Sequence, residues 1–263
     1  MSPVVEAILL GALQGLTEFL PVSSSGHLSL AQLLMGVREP SLTLSVVLHA
    51  GTLAATMLLV RERLMSLLRD GLRALPHPKR LTESEGGRDL LVVLLVSIPT
   101  GIIGLLSRSL VAELAESPLV LCIGFLTTAV LLISTRFAKV GDRAVPTYLG
   151  AVLIGVAQGI AVLPGISRSG TTIALALWLG VKPARAFELS MLMSIPPVLG
   201  AMALEARHVS ERGAPEVVLI GAVVAFITGA AAMVLLRRVV IQNQFAWFAA
   251  WVLPVAVIAA LQI

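Results

Sequence analysis

Long apolar runs separated by short polar loops dominate the chain. Runs near 41–60, 89–107, 118–135, 186–206, 216–236 and 245–262 each approach the ~20 apolar residues that a helix needs to cross a bilayer. Six full transmembrane helices are therefore expected. Two further regions, 4–36 and 147–180, are apolar but interrupted. The first breaks at Leu-Pro-Val-Ser-Ser-Ser-Gly (20–26), the second at Leu-Pro-Gly-Ile-Ser-Arg-Ser-Gly (163–170). The stretches that follow, 26–35 and 170–179, are ten residues each. At ~1.5 Å per residue such a helix is about 15 Å long, half the ~30 Å hydrocarbon core, which predicts two re-entrant hairpins. Irregular backbone at membrane depth is tolerated only inside protein or beside a wet cavity. Both Ser-x-Ser-Gly turns are thus expected to face one internal polar chamber.

The two interrupted regions are related. Shifted by 144 positions, Ala7, Leu9, Gly11, Gln14, Gly15, Ser23, Ser25 and Gly26 match Ala151, Leu153, Gly155, Gln158, Gly159, Ser167, Ser169 and Gly170. That is eight identities in twenty positions, where a composition this biased gives roughly two by chance. Gly36 and Gly180 also coincide. Each half holds one broken hairpin and three crossings, and three is odd, so the second half enters the membrane from the opposite side. The expected fold is an all-α polytopic membrane protein built as an inverted-topology repeat. It forms a single integral membrane domain over 1–263, with repeats 1–135 and 147–263. The pairs Gly11/Gly15 and Gly155/Gly159 are G-x-x-x-G spacings that suit close helix packing.

Composition agrees with this pattern. Hydrophobic residues are 57% of the chain, and the 22 glycines bring the apolar share to about 65%, against ~45–50% in ordinary globular proteins. Charged residues are 13%, about half the usual ~25%. A soluble domain, a disordered chain and a fibrous repeat are excluded. The single cysteine, Cys122, excludes an internal disulfide framework and a cysteine-rich metal site. A net charge of +4 and a pI near 10.0 raise the question of a nucleic-acid partner. The placement of the basic residues argues against one, because they sit in short loops, where they set orientation. Fourteen lie in 61–88, 136–146, Lys182 to Arg185 and Arg237–Arg238; Arg38, Arg108, Arg207 and Arg212 fall on the other side, and Arg168 lies inside the second break. This split places the first group in the cytoplasm and both termini outside. The N-terminus lacks a basic n-region and carries Glu6 and Glu18, so no signal peptide is expected. The 61–88 connection reads as a mobile cytoplasmic hairpin whose polar stretch 82–87 has no catalytic spacing.

The breaks hold the candidate chemistry. Gln14 and Glu18, four apart, share a helical face, and Pro21 ends that helix. Ser23, Ser24, Ser25 and His27 follow; in the second break Ser167, Arg168, Ser169, Thr171 and Thr172 follow Pro164 and Gly165. Ser24 and Arg168 occupy equivalent repeat positions, and an inverted pair would bring them to one centre. Ionisable groups inside a membrane are costly, which makes Glu18, His27 and Arg168 functional candidates; a Glu–Arg pair that merely pins the two halves is the structural alternative. Ser23, Ser25, Ser167 and Ser169 suit either helix capping or ligand binding. Two helix starts offer free N–H groups and partial positive charge, and arginine adds a planar fork. The chamber therefore favours phosphate or pyrophosphate, which in a membrane means a lipid-linked one. Glu18 and His27 add an acid and a base that a passive anion site does not need.

At these residues the sequence resembles the undecaprenyl pyrophosphate phosphatases, the bacitracin-resistance family. Gln-Gly-Leu-Thr-Glu-Phe-Leu-Pro-Val-Ser-Ser-Ser-Gly-His (14–27) looks like the family's (E/Q)-x-x-x-E motif with its serine-rich extension. Pro-Gly-Ile-Ser-Arg-Ser-Gly-Thr-Thr (164–172) looks like its P-G-x-S-R-S-x-x-T motif. The resemblance implies an integral phosphatase of the bacterial plasma membrane that converts undecaprenyl pyrophosphate to undecaprenyl phosphate and recycles the cell-wall lipid carrier. It implies a site open to the outer face and dependence on a divalent cation, Mg²⁺ or Ca²⁺. Carried over, Glu18, Ser24, His27 and Arg168 are the catalytic set, with Ser24 as proposed nucleophile. Gln14, Ser23, Ser25, Gly26, Ser167, Ser169, Gly170 and Thr172 are expected around the substrate, and Glu188, His49 and Gln158 behind them. Leu-Ser-Val-Val-Leu-His (44–49) stands where relatives often carry Phe-Glu-Val-Val-Ile-Gln, so one acidic group is lost and a histidine gained. Spacing gives no protein-only metal cage; a cation bridged by phosphate and Glu18 is the expected version.

The expected partners are the polyprenyl pyrophosphate lipid and the bilayer, with no nucleic acid; a homodimer is left open. Serine attack, with His27 or Glu18 taking the proton, and direct water attack activated by Glu18 both fit the residues. The competing function is a polyprenyl-phosphate transporter or flippase using the same anion site, since inverted repeats with broken helices are a transporter architecture. His77 and His208 read as solvated loop residues, and Trp178, Trp247 and Trp251 as interface or core residues.

Overall fold

Helix starts are written into the sequence as Ser or Thr before Pro or an apolar run, and the computed structural model places helices there. It describes residues 2–35, 42–115, 117–206 and 214–263; Gly36, Arg38, Arg207, His208 and Arg212, used above, lie outside them. The elements are α1 (Pro3–Phe19), α2 (Ser24–Met35), α3 (Leu42–Leu59), α4 (Arg61–Ala74), α5 (Arg80–Glu83), α6 (Glu85–Leu106) and α7 (Arg108–Leu114). Then come α8 (Pro118–Ser134), α9 (Tyr148–Ile160), α10 (Arg168–Trp178), α11 (Pro183–Ala206), α12 (Pro215–Ile241) and α13 (Ala249–Ala260). The Ser2, Ser84, Ser117, Thr147 and Ser167 hydroxyls accept from N–H groups three residues on, at the starts of α1, α6, α8, α9 and α10. Among the described residues the only β pairing is an isolated bridge between Arg143 and Val181. The protein is all-α.

Among the described residues, four helical stretches are long and apolar enough to cross a membrane: Glu85–Leu106, Pro118–Phe137, Pro183–Glu205 and Pro215–Ile241. They cover the expected runs at 89–107, 118–135, 186–206 and 216–236. The other two runs are less simple. The 41–60 run forms α3, which bends by 80° into α4 where apolar residues give way to Arg61, Glu62 and Arg63. The 245–262 run starts as a short 3₁₀ turn, Phe245–Phe248, before α13. The 61–88 connection, expected as a mobile hairpin, is instead helical and packed: Leu67 and Ala74 are buried, Gly86 lies against the Ser66 backbone, and Arg63 Nη1 donates to Glu85 Oε2 at 2.7 Å.

Both expected short helices are present, α2 with 12 residues and α10 with 11. The helices preceding them are held by their glycine pairs. Gly11 packs on Gly221 and Ala225, and Gly15 on Ala225 and Gly229, so α1 runs parallel to α12 with no space for a Cβ between them. Gly155 packs on Val96 and Pro99, and Gly159 on Ile103, so α9 runs parallel to α6. The breaks then meet. Gly26 lies against Gly165, whose φ of +88° is one that side chains rarely allow, and the Gly165 N–H donates to Ser23 Oγ at 3.1 Å. Phe19 packs on Gly229, close to the middle of α12, so the first break lies near that helix's mid-length.

Candidate active site

Three helix ends converge at the joined breaks: the C-terminus of α1 and the N-termini of α2 and α10. Pro21 stops α1 one turn after Glu18. Ser23 then takes a left-handed backbone, φ 68°, which turns the chain back into α2 and starts that helix at Ser24. Ser23 Oγ accepts from the N–H groups of Gly26 and Gly165, at 3.2 and 3.1 Å. Ser167 does the equivalent for α10, accepting from Gly170 N at 3.1 Å. Thr128 on α8 braces the second break, its hydroxyl donating to Gly165 O and accepting from Ser167 N. These caps use the Gly26 and Gly170 N–H groups and leave those of Ser24, Ser25, Arg168 and Ser169 at the two open helix starts.

Glu18 is the centre of the cluster. Its Oε1 accepts from Arg168 Nη2 at 2.7 Å, and its Oε2 accepts from Ser24 Oγ at 2.9 Å and Gln14 Nε2 at 3.1 Å. Ser24 and Arg168, equivalent in the repeat, are thus joined through one carboxylate. The pair is mostly withdrawn from solvent, with side chains 17% and 12% exposed for Arg168 and Glu18. The Arg168 contact is through one nitrogen only. Its Nη1 is buried and has no hydrogen-bond partner among the described residues, a costly condition for a charged donor. A cavity of about 50 Å³ lies here, lined by Thr17, Glu18, Ser23, Ser24, Ser25, Ser167 and Arg168 together with Ala161 and Ile166.

The remaining expected residues are distributed around this centre. Ser25 Oγ is 3.4 Å from Ser23 Oγ, and Ser169 Oγ 3.2 Å from Ser167 Oγ. Thr172 accepts or donates at 2.7 Å with Ser190 on α11 and donates to Arg168 O. His49 lines a small cavity with Gln14 and Ser24, and its Nδ1 is 2.9 Å from Ser45 O. Gln158 is buried and donates to Thr100 Oγ1 and Met193 O, apart from the cluster. Glu188 is also apart: it accepts from Arg185 and pairs with Arg63.

His27 is bonded to groups other than Ser24. Its Nε2 is 3.0 Å from Trp251 Nε1, and because an indole nitrogen can only donate, His27 Nε2 accepts. The proton is therefore on Nδ1, which donates to Ser23 O at 2.9 Å. The ring lies parallel to Trp251 and edge-on to Phe125. Both nitrogens are engaged, Nδ1 at the Ser23 turn and Nε2 at Trp251. Trp251, Thr128 and Ser190 were not legible as site supports, because each lies on a helix other than those that form the breaks and none carries a local motif.

A metal would find one carboxylate here. Among the described residues no three His, Cys, Asp or Glu side chains are grouped to hold an ion. What the cluster offers is a carboxylate base against a hydroxyl, an arginine with a free N–H, and two open helix starts: the parts for attack on a phosphoryl group and for neutralising its oxygens.

Comparison with known proteins points the same way. Residues 7–258 match the family described as bacitracin resistance protein BacA. A protein named undecaprenyl-diphosphatase from Desulfatibacillum aliphaticivorans is 39% identical, covering 97% of this chain and 98% of its own. Proteins of the same name from Acaryochloris marina and Salinibacter ruber are 37% and 38% identical, covering 99% and 93% of this chain and 98% and 93% of their own. With a family match over nearly all its length and relatives aligned end to end, this chain belongs to the bacitracin resistance protein BacA family.

Proposed function

We propose that this chain is an undecaprenyl-diphosphatase, hydrolysing undecaprenyl diphosphate to undecaprenyl phosphate and phosphate and so recycling the cell-wall lipid carrier. The observation that carries the site assignment is the Glu18 carboxylate, which bonds Ser24 Oγ on one oxygen and Arg168 on the other beside a cavity. In this reading the terminal phosphate enters between the two open helix starts. Arg168 Nη1, buried and unpartnered, donates to one of its oxygens. The Ser24 Oγ–P bond forms as the bond to the bridging oxygen breaks, the Ser24 proton passes by way of Glu18 Oε2 to the departing bridging oxygen, and undecaprenyl phosphate leaves with Glu18 ionised again. Water then attacks the phosphoserine, giving its proton to Glu18, and phosphate departs with the Ser24 oxygen reprotonated. Glu18 is favoured over His27 as the base because both His27 nitrogens are engaged elsewhere.

A divalent cation, Mg²⁺ or Ca²⁺, would be held by Glu18 and the substrate's own phosphate oxygens, the arrangement common for magnesium at phosphates. It would supply charge neutralisation on those oxygens; no step here depends on it.

The finer architecture belongs to the same proposal: six crossings, two re-entrant hairpins and an inverted repeat in the bacterial plasma membrane. The exchanged packing of α1 on α12 and α9 on α6, through repeat-equivalent glycines, supports it. Orientation rests on charge. Arg63 meets Glu188, Arg143 pairs with Val181, Arg136 lies over Trp247, and Arg61, Arg237 and Arg238 line one cavity. Basic residues of separate loops thus converge on one end, which is the cytoplasmic end by the positive-inside rule. Both termini and the mouth of the site then face outward.

Phosphate release from undecaprenyl diphosphate by the purified chain in detergent is the test. Arg168→Ala is expected to lower kcat by about 10²-fold or more, and turnover within a few-fold of the parent would defeat the site. Ser24→Ala separates serine attack from water attack: substantial residual activity would remove Ser24 as obligate nucleophile. Transport of the lipid with no phosphate released would select the flippase reading.

A further inference from the structure

A second cavity lies at the elbow where α3 turns into α4, and none of its lining residues is shared with the catalytic cavity. It measures about 1080 Å³, the upper end of ordinary ligand pockets. Four arginines line it, Arg61, Arg63, Arg237 and Arg238, against two carboxylates, Glu62 and Glu188. Glu188 is held by Arg185 and Arg63, and Arg63 is also paired with Glu85. Arg61, Arg237 and Arg238 have no carboxylate partner among the described residues. Three unpaired guanidiniums therefore face the cavity from two helices.

The other walls are hydrocarbon. Leu58 and Leu59 of α3 and Val234 and Ile241 of α12 line the same cavity, and all four are more than a third exposed. Val234, Arg237, Arg238 and Ile241 fall on one face of α12, so that face sets apolar side chains beside cations. The elbow adds a second amphiphilic surface. Having turned by 80°, α4 bares Met65, Leu68 and Leu72 at three- and four-residue spacing on a helix that also carries Arg61, Arg69 and Arg73. Apolar faces flanked by arginine suit a helix lying in the plane of an interface.

We propose that this cavity binds the phosphate headgroup of an anionic diacyl phospholipid from the leaflet at the arginine-rich end. Arg61, Arg237 and Arg238 take the phosphate oxygens, and the acyl chains lie along Leu58, Leu59, Val234 and Ile241. A free phosphate ion would use the cations and leave the apolar walls uncovered; a zwitterionic lipid would bring its own cation against the arginines. The site is independent of the phosphatase reading.

The test uses the purified full chain in detergent, with its apparent thermal midpoint read while phosphatidylglycerol, phosphatidylcholine or inorganic phosphate is added. Phosphatidylglycerol is expected to raise the midpoint by roughly 2–5 °C, the other two by little. The triple variant Arg61→Gln, Arg237→Gln, Arg238→Gln is expected to lose most of that rise. An equal rise with phosphatidylcholine, the same rise with inorganic phosphate alone, or a full rise in the triple variant would each overturn the proposal. Should the triple variant fail to fold, Arg237→Gln alone is read the same way.

Discussion

Ser23 holds a backbone conformation that costs a residue with a Cβ roughly 1 kcal/mol or more, and the structure shows what offsets it. Its hydroxyl accepts from Gly26 and Gly165, and its carbonyl accepts from the His27 ring. This turn precedes Ser24, whose hydroxyl donates to Glu18, and in the proposed mechanism His27 would be a positioning residue for Ser24. His27→Ala removes the donor to the Ser23 carbonyl and is expected to lower kcat strongly with little change in KM. His27→Asn places an amide donor near the position of Nδ1 and is expected to recover a substantial part of that loss. Equal defects in the two variants would contradict the positioning role. The convergence of Ser24 and Arg168 could be read from the repeat, because equivalent positions at equivalent breaks were bound to meet if the halves invert. The His27–Trp251 contact could not: 224 residues separate the partners, and a lone exposed tryptophan near a chain end has a bland reading as an interface residue.

Helices are set against one another here by glycine more than by side-chain interlock. A Cβ at Gly15 would fall 2.0 Å from Thr228 Oγ1 and 2.6 Å from Ala225 O. One of those atoms is backbone, so α1 itself has to move. Gly15→Ala is therefore expected to destabilise the protein by about 1–3 kcal/mol. It should also cut activity, since Glu18 follows less than one turn later on the same helix. Gly200→Ala, where nothing lies within 4 Å of the added carbon, is the matched control and should leave both unchanged. Thermal midpoints and phosphate release on the two purified variants check this. The G-x-x-x-G spacing made the close contact legible but not its partner, because either half offers several small-residue faces. The helical state of 61–74 was legible too, in Leu64, Leu67, Leu68 and Gly71 at three- and four-residue steps. The density of arginine drew attention to a loop and hid that period.

Across the whole molecule, besides the packing of α1 on α12 and of α9 on α6, the halves are joined at the two breaks and by ion pairs at the arginine-rich end. There Arg185 of α11 donates to Asp89 of α6 and to Glu188, while Arg63 of α4 reaches Glu188 and Glu85. Sequence resemblance placed Glu188 near the substrate, but its partners lie at 63 and 185, a grouping that only the folded chain creates. Asp89 is 1% exposed, and its Oδ2 has no hydrogen-bond partner among the described residues. Such a pair adds little over a well-packed apolar substitute, whereas removing one member strands the other charge. Asp89→Ala leaves Arg185 with Glu188 and the Ala144 carbonyl only, and is expected to cost about 3–5 kcal/mol. Removing both charges, Asp89→Leu with Arg185→Met, should recover a large part of that. If the pair only ties α6 to α11, specific activity per folded molecule stays near the parent in every variant, because neither residue touches the Glu18 cluster. A double variant as unstable as Asp89→Ala would mean that the stranded Arg185 charge is not the source of the cost, and would contradict this account of the pair.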